Sequence, residues 1–195
     1  MGKIKSALEL AMEKTADLKT DKKAVKKNMI TREGKIAASS YLERPAGSDL
    51  KDKAKGYKDE EKEWFLAGAT DTILANLTLP RLEADLEKLP PLKEALIILS
   101  GDKRRISGMF DQISQLFSQY LTNLDQLEEA LKKQYEPQLR QKEMQLRQQT
   151  GQDYHLTPET DPDFMSLLSE QLSRMDQQYG EVLKQVRDEL RHSVH

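Results

Sequence analysis

The sequence contains no cysteine, and that absence removes disulfides, thiolate zinc sites and cysteine nucleophiles together. Histidine is nearly as scarce, with three in 195 residues. His192 and His195 stand three apart, a spacing that can share a metal on a helix. An exposed chain end is the simpler reading of that pair, and His155 falls in a polar stretch. Di-iron bundles use paired Glu-x-x-His motifs, whereas this chain has one, Glu189-Leu190-Arg191-His192. Phosphate loops, dinucleotide fingerprints and nucleophile elbows are missing. The acidic runs Asp59-Glu60-Glu61 and Glu159 to Asp163 lack EF-hand spacing and read as solvated charge. The expectation is therefore a protein that is not an enzyme and has no metal or cofactor.

Long apolar runs are lacking too. The longest is Ala95-Leu96-Ile97-Ile98-Leu99, far short of the ~20 residues that cross a bilayer. Near the N-terminus Glu9, Glu13 and Lys14 interrupt the apolar stretch that a signal peptide needs. A cytoplasmic location is expected. Met1-Gly2-Lys3-Ile4-Lys5-Ser6 fits the loose N-myristoylation pattern, although an ordinary helix start is the preferred reading.

β-Branched residues are few: 4 Val and 8 Ile stand against 28 Leu. Leu, Glu, Lys, Gln and Ala lose little rotamer freedom in a helix, and β-branched residues lose more. The composition therefore favours helix throughout. A charged share of 33% and a mean hydropathy of −0.75 suit an elongated molecule with much wetted surface. Charge is unevenly spread. Residues 1–58 hold 15 Lys and Arg against 8 Asp and Glu, and the remainder holds 16 against 25, which gives the overall −2. All 15 glutamines lie at or after Gln112.

Along the chain, Ile4, Leu8, Ala11, Thr15, Leu18, Val25 and Met29 fall at three- and four-residue steps, with Lys22 as the polar interruption. One or two amphipathic helices are expected here, weakened at Gly34 and ended at Pro45-Ala46-Gly47. Ser48 reads as the N-cap of a helix reaching about Thr78, with Trp64-Phe65 as its core anchor. Pro80 and Pro90-Pro91 delimit two short leucine-bearing helices, and Ser100-Gly101-Asp102 reads as a turn. Ile106, Phe110, Ile113, Phe117, Tyr120, Leu124, Leu127 and Leu131 then advance by 4-3-4-3-4-3-4, a heptad seam suited to knobs-into-holes packing. Pro137 predicts a kink near Lys133. After a polar link at 151–161, with Asp161-Pro162 as a helix start, Leu168, Leu172, Met175, Tyr179, Val182 and Val186 form a second seam. Two seams joined by about a dozen polar residues fold back most economically as an antiparallel pair.

The stretches Lys5 to Thr15 and Asp161-Pro162-Asp163-Phe164-Met165 resemble an uncharacterised bacterial helical protein family of unknown function. The resemblance implies a bacterial cytoplasmic protein and carries no activity or functional residue with it.

The reading is an all-α fold, an elongated helical bundle with a long antiparallel coiled-coil-like hairpin. Three regions are expected: a basic amphipathic region at 1–46, a short-helix packing region at 48–100, and the hairpin at 102–195. The leading functional expectation is a non-enzymatic scaffold or adaptor acting through a protein partner or self-association. Its seam residues are Phe110, Phe117, Leu124 and Leu131, with Leu172, Met175, Tyr179 and Val182 opposite. The alternative is a nucleic-acid or ribosome-associated factor using Lys19, Lys22, Lys23, Lys26 and Lys27 against phosphate. Weak membrane-surface association, with Ile4, Leu8 and Met12 facing lipid, is the third.

Overall fold

The computed structural model describes residues 7–46 and 48–194, with side chains described from Lys22 onward. Lys19, the Ile4, Leu8 and Met12 face and His195 thus lie outside the described side chains. Six α-helices follow in chain order: α1 (Ala7–Glu43), α2 (Leu50–Gly56), α3 (Asp59–Ala75), α4 (Leu89–Ser100), α5 (Lys103–Thr150) and α6 (Pro162–Val194). Short 3-10 turns occupy Glu83–Lys88 and Pro158–Thr160, and no strand occurs among the described residues. The protein is all-α.

Helix ends obey local chemistry. Asp102 caps α5 by accepting the Arg105 amide at 2.9 Å, and Asp161 caps α6 by accepting the Asp163 amide at 2.9 Å ahead of Pro162. The chain leaves α4 at Gly101 and α5 at Gly151, where φ is +76° and +73°, values that glycine adopts without steric cost. Pro90 and Pro91 lie inside the first turn of α4 rather than before it, where a missing N–H costs nothing. Helix α5 runs unbroken past Pro137.

Two compact units result. Unit 1 comprises Met1–Leu77, Pro90–Ser107 and Glu189–His195; unit 2 comprises Thr78–Leu89 and Gly108–Asp188. The chain leaves unit 1 and returns to it twice.

In unit 1, α1 packs on α3. Gly34 does not interrupt α1; it allows the closest approach of the two helices. A Cβ on Gly34 would sit 2.2 Å from the Phe65 carbonyl oxygen, and one on Gly68 would sit 2.0 Å from that of Thr31. Ile30, Ala37, Ala38 and Tyr41 of α1 and Phe65, Leu66, Ala69 and Ile73 of α3 are buried. The single helix expected over residues 48–78 is two helices. Tyr57 and Lys58 are extended between them, and Asp59 takes φ +47°, a region that aspartate tolerates better than most residues. The break lets Tyr57 stack on Phe65 with ring centres 5.1 Å apart and donate its hydroxyl to Glu33. Ser48 still accepts the Leu50 amide at 3.2 Å. Leu92, Ala95, Leu96 and Leu99 of α4, with Ile106, Leu190 and Val194, are also buried in this unit.

Candidate interaction surfaces

In unit 2 the paired contacts of α5 and α6 run in opposite directions. Tyr120 meets Tyr179 edge-on at 5.0 Å, and Tyr135 meets Phe164 at 5.3 Å. Fifteen residues forward along α5 thus match fifteen back along α6, a fixed antiparallel register. Phe110, Phe117 and Leu131 are buried; Leu124, Leu172, Met175 and Tyr179 are half-buried. Val182 departs from its expected place: it is 43% exposed, while Leu183 beside it is 3% exposed. A helix of 3.6 residues per turn drifts about 20° per heptad against a strict 3.5 repeat. After Tyr179 the inward position therefore advances by four residues instead of three, which seats Leu183 and turns Val182 out.

A polar brace interrupts this apolar seam. Arg81 donates to Asp176 at 2.6 and 3.3 Å and to the Tyr120 hydroxyl at 3.1 Å. Tyr120, fully buried, donates to Asp176, and Asn123 donates to the Tyr179 hydroxyl at 2.7 Å. Burial, with the neighbouring Asp176 carboxylate, pushes the Tyr120 hydroxyl up to about 12. Burial also works to raise Asp176, but the hydrogen bonds from Arg81 and Tyr120 outweigh it and hold the carboxyl below its ordinary value. Buried polar groups need such complete pairing. No spacing in the sequence announces the set, because Arg81 lies 95 residues from Asp176.

At the α5–α6 turn, Lys142 donates to Asp161 at 2.7 and 2.9 Å, to Asp163 at 2.6 Å and to the Tyr135 hydroxyl at 3.1 Å. Asp161 is 4% exposed. The Lys142 ammonium holds the Asp161 carboxyl below its usual range, and Asp161, then Asp163 and Tyr135, raise the Lys142 pKa in return. The acidic run 159–163 is thus committed to lysines, since Glu159 pairs with Lys132 at 2.8 Å. Leu131, Tyr135, Leu139 and Phe164 form the apolar cluster beneath.

The lysine run of α1 is divided by its helical positions. Lys23 pairs with Glu60 at 2.6 Å and lies 5.8 Å above the Trp64 ring centre, and Lys26 pairs with Glu61. Lys22 and Lys27 are exposed. Two of the described lysines thus face the acidic first turn of α3, where carboxylates also suit the helix dipole.

The opposite side of α1 carries an unexpected feature. Val25, Met29 and Ile36 are 58%, 59% and 51% exposed. At 100° per residue they fall within an arc of about 40°, roughly opposite Ile30, Gly34 and Tyr41. These are the heptad positions that the sequence offers for packing, extended by Ile36, yet α3 takes the other face. Its backbone approach needs the small residues Gly34, Ala37 and Ala38 there. The heptad rhythm was legible in the sequence; which face α3 covers was not.

Among the described residues, no helix is long and apolar enough to cross a membrane. Neither a curated protein nor a solved structure matches the chain. A family model described as a family of unknown function, DUF6657, matches residues 51–192, which includes the Asp161–Met165 junction and leaves out Lys5–Thr15. The match spans more than half of the sequence, and the chain belongs to that family.

Proposed function

We propose that this protein is a non-enzymatic helical adaptor that works through protein–protein association, with the outward stripe of α1 as its binding face. The observation that carries the reading is the exposure of Val25, Met29 and Ile36 on one line of a 37-residue helix whose other face is already packed. Scattered exposed apolar residues are ordinary, but an ordered stripe marks an interaction surface. The seam residues of α5 and α6 support the adaptor in a different way: Phe110, Phe117 and Leu131 are buried within unit 2, so they hold the fold instead of meeting a partner.

The nucleic-acid reading has less support. Lys23 and Lys26 are each paired with a glutamate of α3, and phosphate contacts would have to compete with those pairs. A tagged chain retrieved from native cells separates the two readings when nuclease and moderate salt are applied. An adaptor keeps a protein partner through both treatments and loses it in the double variant Val25→Asp, Ile36→Asp. If nuclease and salt strip everything, and Lys22→Glu with Lys23→Glu does the same, the lysines are the working surface and the adaptor reading fails.

A further inference from the structure

We infer that the overhanging end of α5 is a docking groove for an acidic, leucine-bearing extended segment, and that the chain's own residues 151–160 occupy it as a releasable strap. This face lies in unit 2 and is independent of the α1 stripe. The register that sets Tyr135 against Phe164 places Pro162, the first residue of α6, opposite Pro137. Helix α5 nevertheless continues to Thr150, so residues 138–150 have no α6 partner. Connections between packed helices commonly take about 2–8 residues, and a link that short would leave α5 near residue 138. The extra helix is covered instead by the returning chain. Asp153 pairs with Arg147 at 3.0 Å. The Leu156 amide donates to Glu143 at 2.7 Å, and its side chain packs on the Leu131, Tyr135, Leu139 and Phe164 cluster. Glu159 pairs with Lys132 at 2.8 Å. From Asp153 to Glu159 an extended chain covers about 20 Å, and from Arg147 to Lys132 the helix covers about 22 Å. The strap is therefore extended and antiparallel to α5, with a carboxylate at each end and leucine midway.

The helix offers more than the strap uses. Residues 132–150 hold five Lys and Arg against two Glu. Lys133 lines a groove of about 490 Å³ on one side of Leu156 and has no ion-pair partner among the described residues. A second groove of about 310 Å³ lies on the other side, and Leu156 walls both. The strap itself is lightly held. Residues 151–155 are exposed, and only Leu156, Thr157 and Pro158 are half-buried. Ion pairs as exposed as Arg147–Asp153 contribute little. The buried Asp161 and Phe164 fix the start of α6 separately. Eleven linking residues reach about 36 Å when extended, and the return along α5 needs only about 20 Å. The strap thus has the slack to lift by local opening while α6 stays in place, and lifting joins the two grooves into one. A segment of another protein with the same carboxylate–leucine–carboxylate spacing then fits the vacated face, with Lys133 free for a further carboxylate. Because the strap is tethered at both ends, its effective concentration keeps the groove closed to weak competitors.

A peptide with the strap's own sequence, residues 151–160, is the probe, titrated into full-length chains and followed by amide chemical shifts. Leu156→Ser removes the strap's apolar anchor, and that chain should bind the peptide at least tenfold more tightly than the parent, with shifts along residues 132–149. Asp153→Lys, which spares the apolar cluster, should give a smaller gain in the same direction. Adding Lys132→Glu and Lys133→Glu to the Leu156→Ser chain, or replacing leucine by serine in the peptide, should undo the gain. Hydrogen exchange should quicken at residues 152–157 of the Leu156→Ser chain and stay unchanged at residues 164–186. Equal binding by the parent and Leu156→Ser chains, or binding by neither, overturns the docking groove. Exchange that quickens through α6 as well overturns the releasable strap. Binding indifferent to the two glutamates overturns the acidic partner.

Discussion

Alanine in place of Gly68 tests the packing of unit 1, and its sign opposes that of a typical helical glycine. In an exposed helix, Gly→Ala stabilises by about 1 kcal/mol through backbone entropy and propensity. At Gly68 the new methyl group would lie 2.0 Å from the Thr31 carbonyl oxygen and 2.9 Å from its carbon. Ordinary contact needs more than 3 Å, so α1 and α3 must separate by about 1 Å at their crossing. Both obstructing atoms are backbone, and no rotamer change relieves them. Overpacking costs typically 1–3 kcal/mol and occasionally more, and a forced separation also loosens Phe65, Ala69 and Ala38. Taking about 3 kcal/mol against the gain of about 1, Gly68→Ala should lose about 2 kcal/mol. For a chain of this length each kcal/mol moves the melting temperature by about 2–4 °C, so a drop of about 4–8 °C is expected. Gly180, with nothing within 4 Å of its built Cβ, is the control and should gain by the same change. Thermal melting followed by circular dichroism reads both. Equal stabilisation by Gly68→Ala and Gly180→Ala would refute the close crossing.

Three further outcomes are expected. Leu183→Asp should open the α5–α6 pair and cost more than about 3 kcal/mol, as should Leu124→Asp or Met175→Asp more mildly, whereas Val182→Asp should stay within about 0.5 kcal/mol in urea titration; a reversed order would return Val182 to the seam. Thr70→Val should raise stability by about 1 kcal/mol, because the buried Thr70 Oγ1 has no hydrogen-bond partner among the described residues and the replacement keeps the shape; a loss in the same titration would show that the hydroxyl is satisfied. The Lys142–Asp161 pair should make the α5–α6 turn acid-labile. The Asp161 carboxyl is held below 3.8 in the fold, so its contribution is present above that value and fades as pH falls through the lower folded value. Amide exchange near residues 156–166 should accelerate there in the native chain, and much less so in Asp161→Asn, which has no charge to lose.

Periodicity and caps made much of the fold legible. The 4-3-4-3 spacing from Ile106 to Leu131 gave the inward face of α5, and Asp161-Pro162 gave the start of α6, since both signals act within a turn or two of chain. Three features lay beyond that range. The break at Tyr57-Lys58 depends on Phe65 and Glu33 as partners for Tyr57. The close α1–α3 crossing sets Gly34 against Phe65 and Gly68 against Thr31, two glycines whose local propensity alone argues for weakness. The Arg81–Tyr120–Asp176 brace joins three distant segments. The candidate site was half visible: Val25 and Met29 stood out as heptad positions, but a heptad seam does not say whether it is covered. Only the small residues lining the other face of α1 explain why α3 packs there.

Site-specific photo-crosslinking in native cells tests the binding face of α1 most directly. A photoreactive residue placed at Met29 should give a discrete protein adduct that survives nuclease treatment, and one at Val25 or Ile36 should give the same adduct. The same residue at Val182, also exposed but in unit 2, should give none. Adducts from Val182 with none from the α1 stripe would contradict the account and move the working surface to the other unit.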